Sequence, residues 1–319
     1  MLIFKLPFDE KYFTIDENSE EKAVRFFSFK GNKNIDFKGK IKEISFEEIL
    51  KNQYILPENI EFELNETHDE YLKKIEKTIS FIHENQLKKL VIARKKTFQI
   101  QNLNLPETFK NLCEKYPSAF VYAFIKNDEC WIGAFSELLG KFNKKTSEFE
   151  TMSLAGTLPI DENWTEKEIA EQKPVTDYIF EIVKKYSENV EKSETQDHFS
   201  GNIKHLRTDF KAKIDADNVD VLISELHPTP AVCGIPKDFC RKAISDLENF
   251  DRELYAGYTR IETDENIYCF VNLRCGKFYK NTAVLFAGGG ITALSSPQKE
   301  WQETELKMQA LEKSLIENG

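Results

Sequence analysis

The stretch from His227 to Lys307 holds the densest set of residues able to do chemistry. It reads HPTPAVCGIP, then FDRELYAGY, VNLR, AGGGI and SSPQKEWQETELK. The last piece spaces Glu300, Glu303 and Lys307 at i, i+3 and i+7, so one face of a helix would carry two carboxylates and an ammonium. Such a stripe can be a solvated salt-bridge face. It can also wall a site that holds a divalent cation and an anionic substrate. Arg274 ends the apolar run Tyr268–Leu273, where a lone guanidinium is costly to bury, so it is either an edge residue or the partner of an anion. AGGGI follows a strand pattern and offers free N–H groups for an anion nest. No Gly-Lys-Ser/Thr follows, so it is not a P-loop, nor is it GxGxxG.

Other residues fit a chemical role beside an ordinary one. Lys89 precedes the strand core Leu90–Ile92, and alternation puts it on one face with Val91 and Ala93. It reads as an edge lysine of the pair Lys88-Lys89, or as a buried base, since a lysine takes protons only once its amine is neutral. Glu137 in WIGAFSELLG is an exposed strand-end acid, or a desolvated one that gives up a proton. SLAGTLP, residues 153–159, reads as a turn at Gly156, with Thr157 able to face a carboxylate. Asp177, three residues past Pro174, is a first-turn acid favoured by the helix dipole or a magnesium ligand. His205 and His227 each read as satisfied core histidines before anything else.

These residues need elements to position them. Periodicity predicts a helix over 66–86, a strand over 88–100 and a short helix at PETFKNLCEKY. Two strands follow, joined at Lys126-Asn127-Asp128. Residues 165–192 read as helical, with an end or restart near Pro174. SETQDHFSG reads as a polar loop, HLRTDFKAKI as a strand and PKDFCRKAISDLENF as a helix. ENIYCFVNLRCGKFYKNTAVLFAGGG alternates like a hairpin, and Ser296-Pro297 supplies an N-cap and first-turn proline for a final helix. Strands and helices mix without regular βαβ alternation, which predicts α+β with mostly antiparallel sheets. No linker divides the 319 residues, so residues 1–65 read as a weakly defined N-terminal part of the same unit as 66–319.

A net charge of −10 with no strongly basic tract argues against a nucleic-acid partner. An acidic chain that binds a small anion must do so through a local cluster or a metal. The opening MLIFKLPFDEKYF is interrupted by Lys5 and Asp9, so it does not read as a signal peptide, and no run is long enough to span a bilayer. Six cysteines without a C-x-x-C pair are expected to be reduced and buried, in a cytoplasmic protein.

Taken in order, KLVIAR (89–94), GAFSELL (133–139), LAGT (154–157), HPTPAVCGIP (227–236), DRELYAG (251–257), LR (273–274), GGGI (288–291) and EWQET (300–304) resemble the chorismate-utilising enzymes. HPTPAVCGIP and Lys89 are similar to the isochorismate synthases among them. The resemblance implies a single large α+β domain of two facing antiparallel sheets with outer helices. It implies a Mg²⁺-dependent conversion of chorismate to isochorismate, for menaquinone or siderophore synthesis. Lys89 would activate water and Glu137 would protonate the departing hydroxyl. Asp177 and Glu303 would match metal ligands, with Glu300 acting through water. Thr157, Arg274, Lys307 and the N–H groups of Gly288 and Gly290 would hold substrate carboxylates, while His205 and Tyr255 would line the pocket. His227 would be structural. The family's Lys-Asp/Glu-x-x-Glu-His pattern is set against Lys173–Tyr178, which puts Pro174 in place of one acid and shortens the ligand to Asp177. The alternatives are a salicylate synthase, which would go on to eliminate pyruvate, and a catalytically impaired chorismate-binding homologue. A monomer or weak dimer with no membrane partner is expected.

Overall fold

The computed structural model describes residues 1–59, 61, 64–201 and 203–318. Its frame is two nine-stranded antiparallel sheets. The first runs, edge to edge, through Gly234–Ile235, Lys89–Gln99, Thr282–Ile291, Cys275–Phe278, Glu129–Phe135, Phe120–Lys126, Leu2–Lys5, Tyr12–Asp16 and Lys40–Ile44. The second runs through Val190–Lys192, Ile203–Lys213, Glu148–Pro159, Leu138–Asn143, Asn266–Val271, Tyr258–Glu262, Lys22–Phe27 and Asn34–Lys38, with Gln196–Ser200 also on Ile203–Lys213. The first forty-four residues thus feed strands into both sheets.

Period-two patterning assigns the faces. In Phe120–Lys126, the side chains of Phe120, Tyr122 and Phe124 enter one core with Phe26, Phe142, Phe149 and Phe270 of the second sheet. Val121 and Ala123 point the other way, into a second core. There they meet Phe109 and Leu112 of helix Leu105–Lys115 and Met308 and Leu311 of helix Pro297–Glu312. The Asn127-Asp128 turn joins the pair, both residues at φ near +55° (53 and 57) as a tight hairpin turn demands.

Several sequence expectations need correction. Helix Glu166–Val183 runs unbroken through Pro174. Proline forfeits one backbone hydrogen bond, but Val175, Ile179, Ile182 and Val183 are buried in the core and hold the helix across it. SETQDHFSG contains a strand, Gln196–Ser200, whose backbone bonds go to Ile203–Lys213. SLAGTLP is not a turn but the end of strand Glu148–Pro159. The register slips between Ala155 and Thr157, and Gly156 takes φ +74° at that bulge. The run from 266 to 291 is three strands, not one hairpin. Asn266–Val271 lies in the second sheet, and Cys275–Phe278 and Thr282–Ile291 pair in the first. AGGGI lies within its strand rather than after it. Ser296 precedes the last helix, but its side chain makes no capping bond.

Candidate active site

Two short crossings between the sheets place the key side chains. The chain leaves the first sheet at Phe135 and joins the second at Leu138, so Ser136-Glu137 is a step between layers. It makes the reverse step between Val271 and Cys275, where Arg274 takes φ +43°. The crossings are bonded together, Val271 N–H donating to Glu137 O at 3.0 Å and Ala134 N–H to Arg274 O at 3.2 Å. Both therefore open on one cleft between the sheets.

That cleft is lined by Glu137, Thr157, Glu171, His205, Tyr255, Arg274, Gly288, Gly290 and Lys307 among polar, aromatic and glycine positions. It is a narrow, partly open cavity of about 90 Å³ whose mixed polar and apolar lining is of the kind that takes a small-molecule ligand. Val91, Leu154, Ala231 and Phe286 supply apolar wall. Burial pushes the Glu137 carboxyl up to about 7, against the pull of Lys89 and Lys307. A carboxyl poised there is protonated for part of the neutral range and can act as an acid.

Arg274 is braced from two sides. Nη1 donates to Ser200 Oγ, and Nη2 lies 3.3 Å from His205 Nε2. His205 Nδ1 lies 3.0 Å from Gly156 O. A carbonyl on one side and a guanidinium on the other fit one tautomer, Nδ1–H donating and Nε2 accepting. Burial, with Arg274 adding to it, pushes the His205 imidazole well below its usual range, which keeps it neutral. Thr157 Oγ1 is 3.2 Å from the same Nδ1. Burial keeps the Tyr255 phenol protonated, and its ring stacks on Phe286 at 5.8 Å.

The glycine strand is the thin wall of the site. Ala93 N–H goes to Glu248 Oε1 at 2.7 Å and Val91 N–H to Cys233 O at 2.8 Å. The opposed pairs Gly288/Ala93 and Gly290/Val91 are thus non-hydrogen-bonded ones. The N–H and C=O of both glycines face the other edge, where pairing with Cys275–Phe278 has ended at Leu285. This is a strand edge without a partner strand rather than a nest, and Gly288 O on it accepts from Lys307 Nζ. A Cβ at Gly290 would overlap Glu171 Oε1 and stand 2.5 Å from Lys89 Cε. One at Gly289 would stand 2.6 Å from Glu300 Oε2. Only a chain without side chains lets groups from both of its faces come so near.

Around it gathers a charged cluster. Lys89 is fully buried, its Nζ 3.0 Å from Glu171 Oε1. The angle is not that of a hydrogen bond, so among the described residues Nζ has no hydrogen-bond partner. Lys167 Nζ lies 3.0 Å from Glu171 Oε2, 3.2 Å from Glu300 Oε1, 3.8 Å from Glu303 Oε2 and 3.9 Å from Glu168 Oε1. Lys307 Nζ donates to Glu303 Oε1 at 2.7 Å and to Gly288 O at 2.9 Å. Burial alone would raise Glu171, but Lys167, Lys89 and Lys307 hold it well below the usual carboxylate range. Burial raises Glu300 to about 7, reinforced by Glu303 and Glu171 and opposed by Lys167. Its Oε2 is buried without a hydrogen-bond partner.

The structure does not bring Asp177 to this cluster. Asp177 is exposed, in a separate surface cleft with Lys88, Glu181 and Lys185. It lies six residues past Glu171, about 600° of helical rotation, which is about 240° round the axis. Pro174 lines that same outer cleft. The acids on the inward face are Glu168 and Glu171, which the sequence reading passed over. The signal was available: Lys167-Glu168-Ile169-Ala170-Glu171-Gln172 fits the family's Lys-Asp/Glu-x-x-Glu pattern six residues upstream, with Gln172 for the histidine. Gln172 donates to Ser153 Oγ and Thr208 Oγ1, both at 3.2 Å. His227 does not line the cleft; its Nε2 lies 3.0 Å from Ala256 O, a structural contact. Glu300, Glu303 and Lys307 do meet, on the inward face of the last helix. As placed, no three His, Cys, Asp or Glu side chains among the described residues converge closely enough to hold an ion. The Lys167 ammonium stands among the carboxylates instead.

No helix among the described residues is long and apolar enough to cross a membrane. The family model for chorismate binding enzymes matches residues 18–316. Isochorismate synthase EntC of Escherichia coli K12 is 33% identical over 195 residues, 56% of this chain and 49% of that protein. The chain spans about half the length of the curated relatives it matches. Two solved structures share the fold. A chain described as the 2,3-dihydroxybenzoate-specific isochorismate synthase DhbC, from Bacillus anthracis, superposes with a TM-score of 0.79 at 22% identity, covering 98% of this chain and 95% of that one. MenF, the menaquinone-specific isochorismate synthase of Escherichia coli, also gives 0.79, at 18% identity, covering 98% and 88%. A family match across nearly the whole chain, on a fold that agrees end to end, makes this protein a member of the chorismate-binding enzyme family.

Proposed function

We propose that the cleft converts chorismate to isochorismate, with Mg²⁺ held by the carboxylate cluster. The observation that carries this reading is the pairing of two buried groups of opposite character at one cavity. Lys89 adjoins Glu171 and Gly290 of the lining, and Glu137 is held up near neutrality. Water addition at one ring carbon with loss of hydroxide from another needs a base and an acid at separate points. Lys89 takes a proton from a water as its oxygen bonds to ring C2. The double bonds shift, the C4–O bond breaks, and Glu137 gives its proton to the departing hydroxyl. Both groups return to their starting states by exchange with solvent, so the net change is an isomerisation. Arg274, Thr157, Lys307 and the strand edge at Gly288 and Gly290 face the cleft with donors for the substrate's carboxylates.

The cluster suits a hard dication. Its donors are all carboxylate oxygens, one of them, Glu300 Oε2, buried without a partner. Glu171, Glu300 and Glu303 would hold the ion, with Glu168 behind them, and bound Mg²⁺ would neutralise substrate carboxylate charge at this spot. The reading of a catalytically impaired homologue loses its motive, since it rested on Pro174 and Asp177, which lie outside the site.

The test is incubation with chorismate, with and without Mg²⁺, and chromatography of the products. Isochorismate formed only with Mg²⁺ is expected. Salicylate with pyruvate would replace this reading by the salicylate synthase one, and unchanged chorismate would overturn it. Two substitutions check the ligand set. Glu171→Gln is expected to weaken Mg²⁺ activation by about ten- to a hundred-fold or more. Asp177→Asn is expected to leave it unchanged. The reverse pattern in Mg²⁺ titrations of initial rate would restore Asp177 to the site.

A further inference from the structure

The position of Lys167 asks for explanation. It sits in the first turn of helix Glu166–Val183, behind a capping box in which Thr165 and Glu168 satisfy each other's backbone donors. A lysine here would ordinarily point to water, away from the positive end of the helix dipole. Instead its side chain is 13% exposed, and its ammonium has oxygens of four glutamates within 4 Å. Four carboxylates around one ammonium hold Lys167 in place as a cation. Glu300 Oε2, in a residue 1% exposed, has no hydrogen-bond partner among the described residues, so the one ammonium leaves a buried carboxylate oxygen unsatisfied.

Lys167 also borders open space. With Glu168, Glu300 and Glu303 it lines a second cleft that continues past Leu158, Glu162 and Leu294 and shares Thr157 with the substrate cleft. This cleft has a cavity volume of about 250 Å³, room for a lysine side chain to swing into. Charge balance favours the exchange. Oxygens of Glu168, Glu171, Glu300 and Glu303 surround the single Lys167 ammonium, so the carboxylates nearest it outnumber the positive charge among them. Exchanging the ammonium for a dication moves the cluster toward neutrality. Adding the dication beside it would leave a cation facing a cation across a few ångströms, which is strongly unfavourable in a buried setting.

We propose that Lys167 is a resident counter-ion that stands in the divalent-cation position when the metal is absent and withdraws into the second cleft when the metal enters. The inference rests on reading the cluster as a cation site, and it makes Lys167 a positioning residue that sets metal affinity. It keeps four carboxylates together without metal and makes the incoming ion compete with a tethered one.

The experiment is direct Mn²⁺ binding to the substrate-free full chain, read as loss of the free-ion electron paramagnetic resonance signal and repeated with Mg²⁺ as competitor. Lys167→Met keeps the length and removes the charge. It is expected to bind Mn²⁺ about ten-fold or more tighter than wild type. Its metal-free form should melt at lower temperature, with a larger Mn²⁺-induced rise than wild type shows. Lys167→Arg keeps the charge on a bulkier head and is expected to bind no tighter than wild type, which gives a second comparison should the methionine variant fold poorly. Equal or weaker binding by a folded Lys167→Met, or tighter binding by Lys167→Arg, overturns the displacement and leaves the metal reading standing. No Mn²⁺ binding by wild type or either variant overturns the metal reading and this proposal with it.

Discussion

Replacing Lys89 with glutamine is expected to lower kcat by about 10²- to 10⁴-fold, the range for removing a general base, while changing the chorismate Kd little. Glutamine keeps much of the volume and a pair of N–H donors at the end of the side chain, but it cannot take a proton from water. The geometry makes this sharper than a usual lysine substitution. Nζ is fully buried and lies 3.0 Å from one oxygen of Glu171, yet no hydrogen bond uses it up. A purely structural lysine in such a place would spend its protons on its neighbours. The ion pair has its own consequence. Glu171 is stabilised as a carboxylate by both Lys167 and Lys89, so Lys89→Gln removes one of its cations and leaves the other. Loss of one partner of a buried pair destabilises the fold, so melting temperature must be followed beside activity. Single-turnover rates with saturating chorismate then separate chemistry from binding. A folded Lys89→Gln protein that keeps turnover within a few-fold of wild type would show that another group activates the water.

The cluster also shows what the chain reveals before it is folded. Glu300, Glu303 and Lys307 were legible because their spacing matches a helical face, and that face does point inward. Lys89 and Glu137 were legible as residues with two readings each, and burial chooses between them: both are at most 5% exposed. Strands with clean alternation, such as Phe120–Lys126, were legible for the same reason that they sort their side chains into two cores. The errors cluster where tertiary context overrides local pattern. Pro174 is a helix breaker in isolation, but the helix that carries it is pinned by core side chains after the proline and by the buried Glu171 and Gln172 before it. The acidic motif belongs on Lys167–Gln172 rather than on Lys173–Tyr178, because the unbroken helix turns Glu168 and Glu171 inward. Asp177 looks like a first-turn acid only if the helix begins there. The polar SETQDHFSG could not show that Gln196–Ser200 borrows its pairing from a neighbouring strand. Nor could the glycine run show which of its edges would lack a partner strand, because that depends on Glu248, about 40 residues upstream, taking Ala93 N–H. The site is assembled from pieces whose local signals are ordinary, and their meeting is a property of the sheet order.

Glu137 sets the second large effect, and its pH dependence tests the role more closely than its removal. Burial holds the carboxyl near 7 against an ordinary value of 4.5, with Lys89 and Lys307 limiting the rise. A general acid must carry its proton, so kcat/KM is expected to fall above about pH 7, approaching ten-fold per pH unit. Glu137→Gln has no proton to give and should lose about 10²- to 10⁴-fold in kcat with that alkaline limb abolished. The same shift predicts a change in stability of opposite sense to the usual carboxylate. Because the folded pKa lies above the unfolded one, the native state binds the proton more tightly. Stability from this group is fully present below about pH 4.5 and is lost as pH rises to about 7, by on the order of 3 kcal/mol in all. Glu300 titrates over the same window, so the wild-type curve alone mixes the two. The difference between wild type and Glu137→Gln isolates one of them. Denaturant unfolding at pH 5 and pH 8 should show the variant gaining on wild type as pH rises. A pH-independent difference would mean that Glu137 is solvated in the folded protein, and a solvated carboxylate would be ionised where the reaction needs an acid.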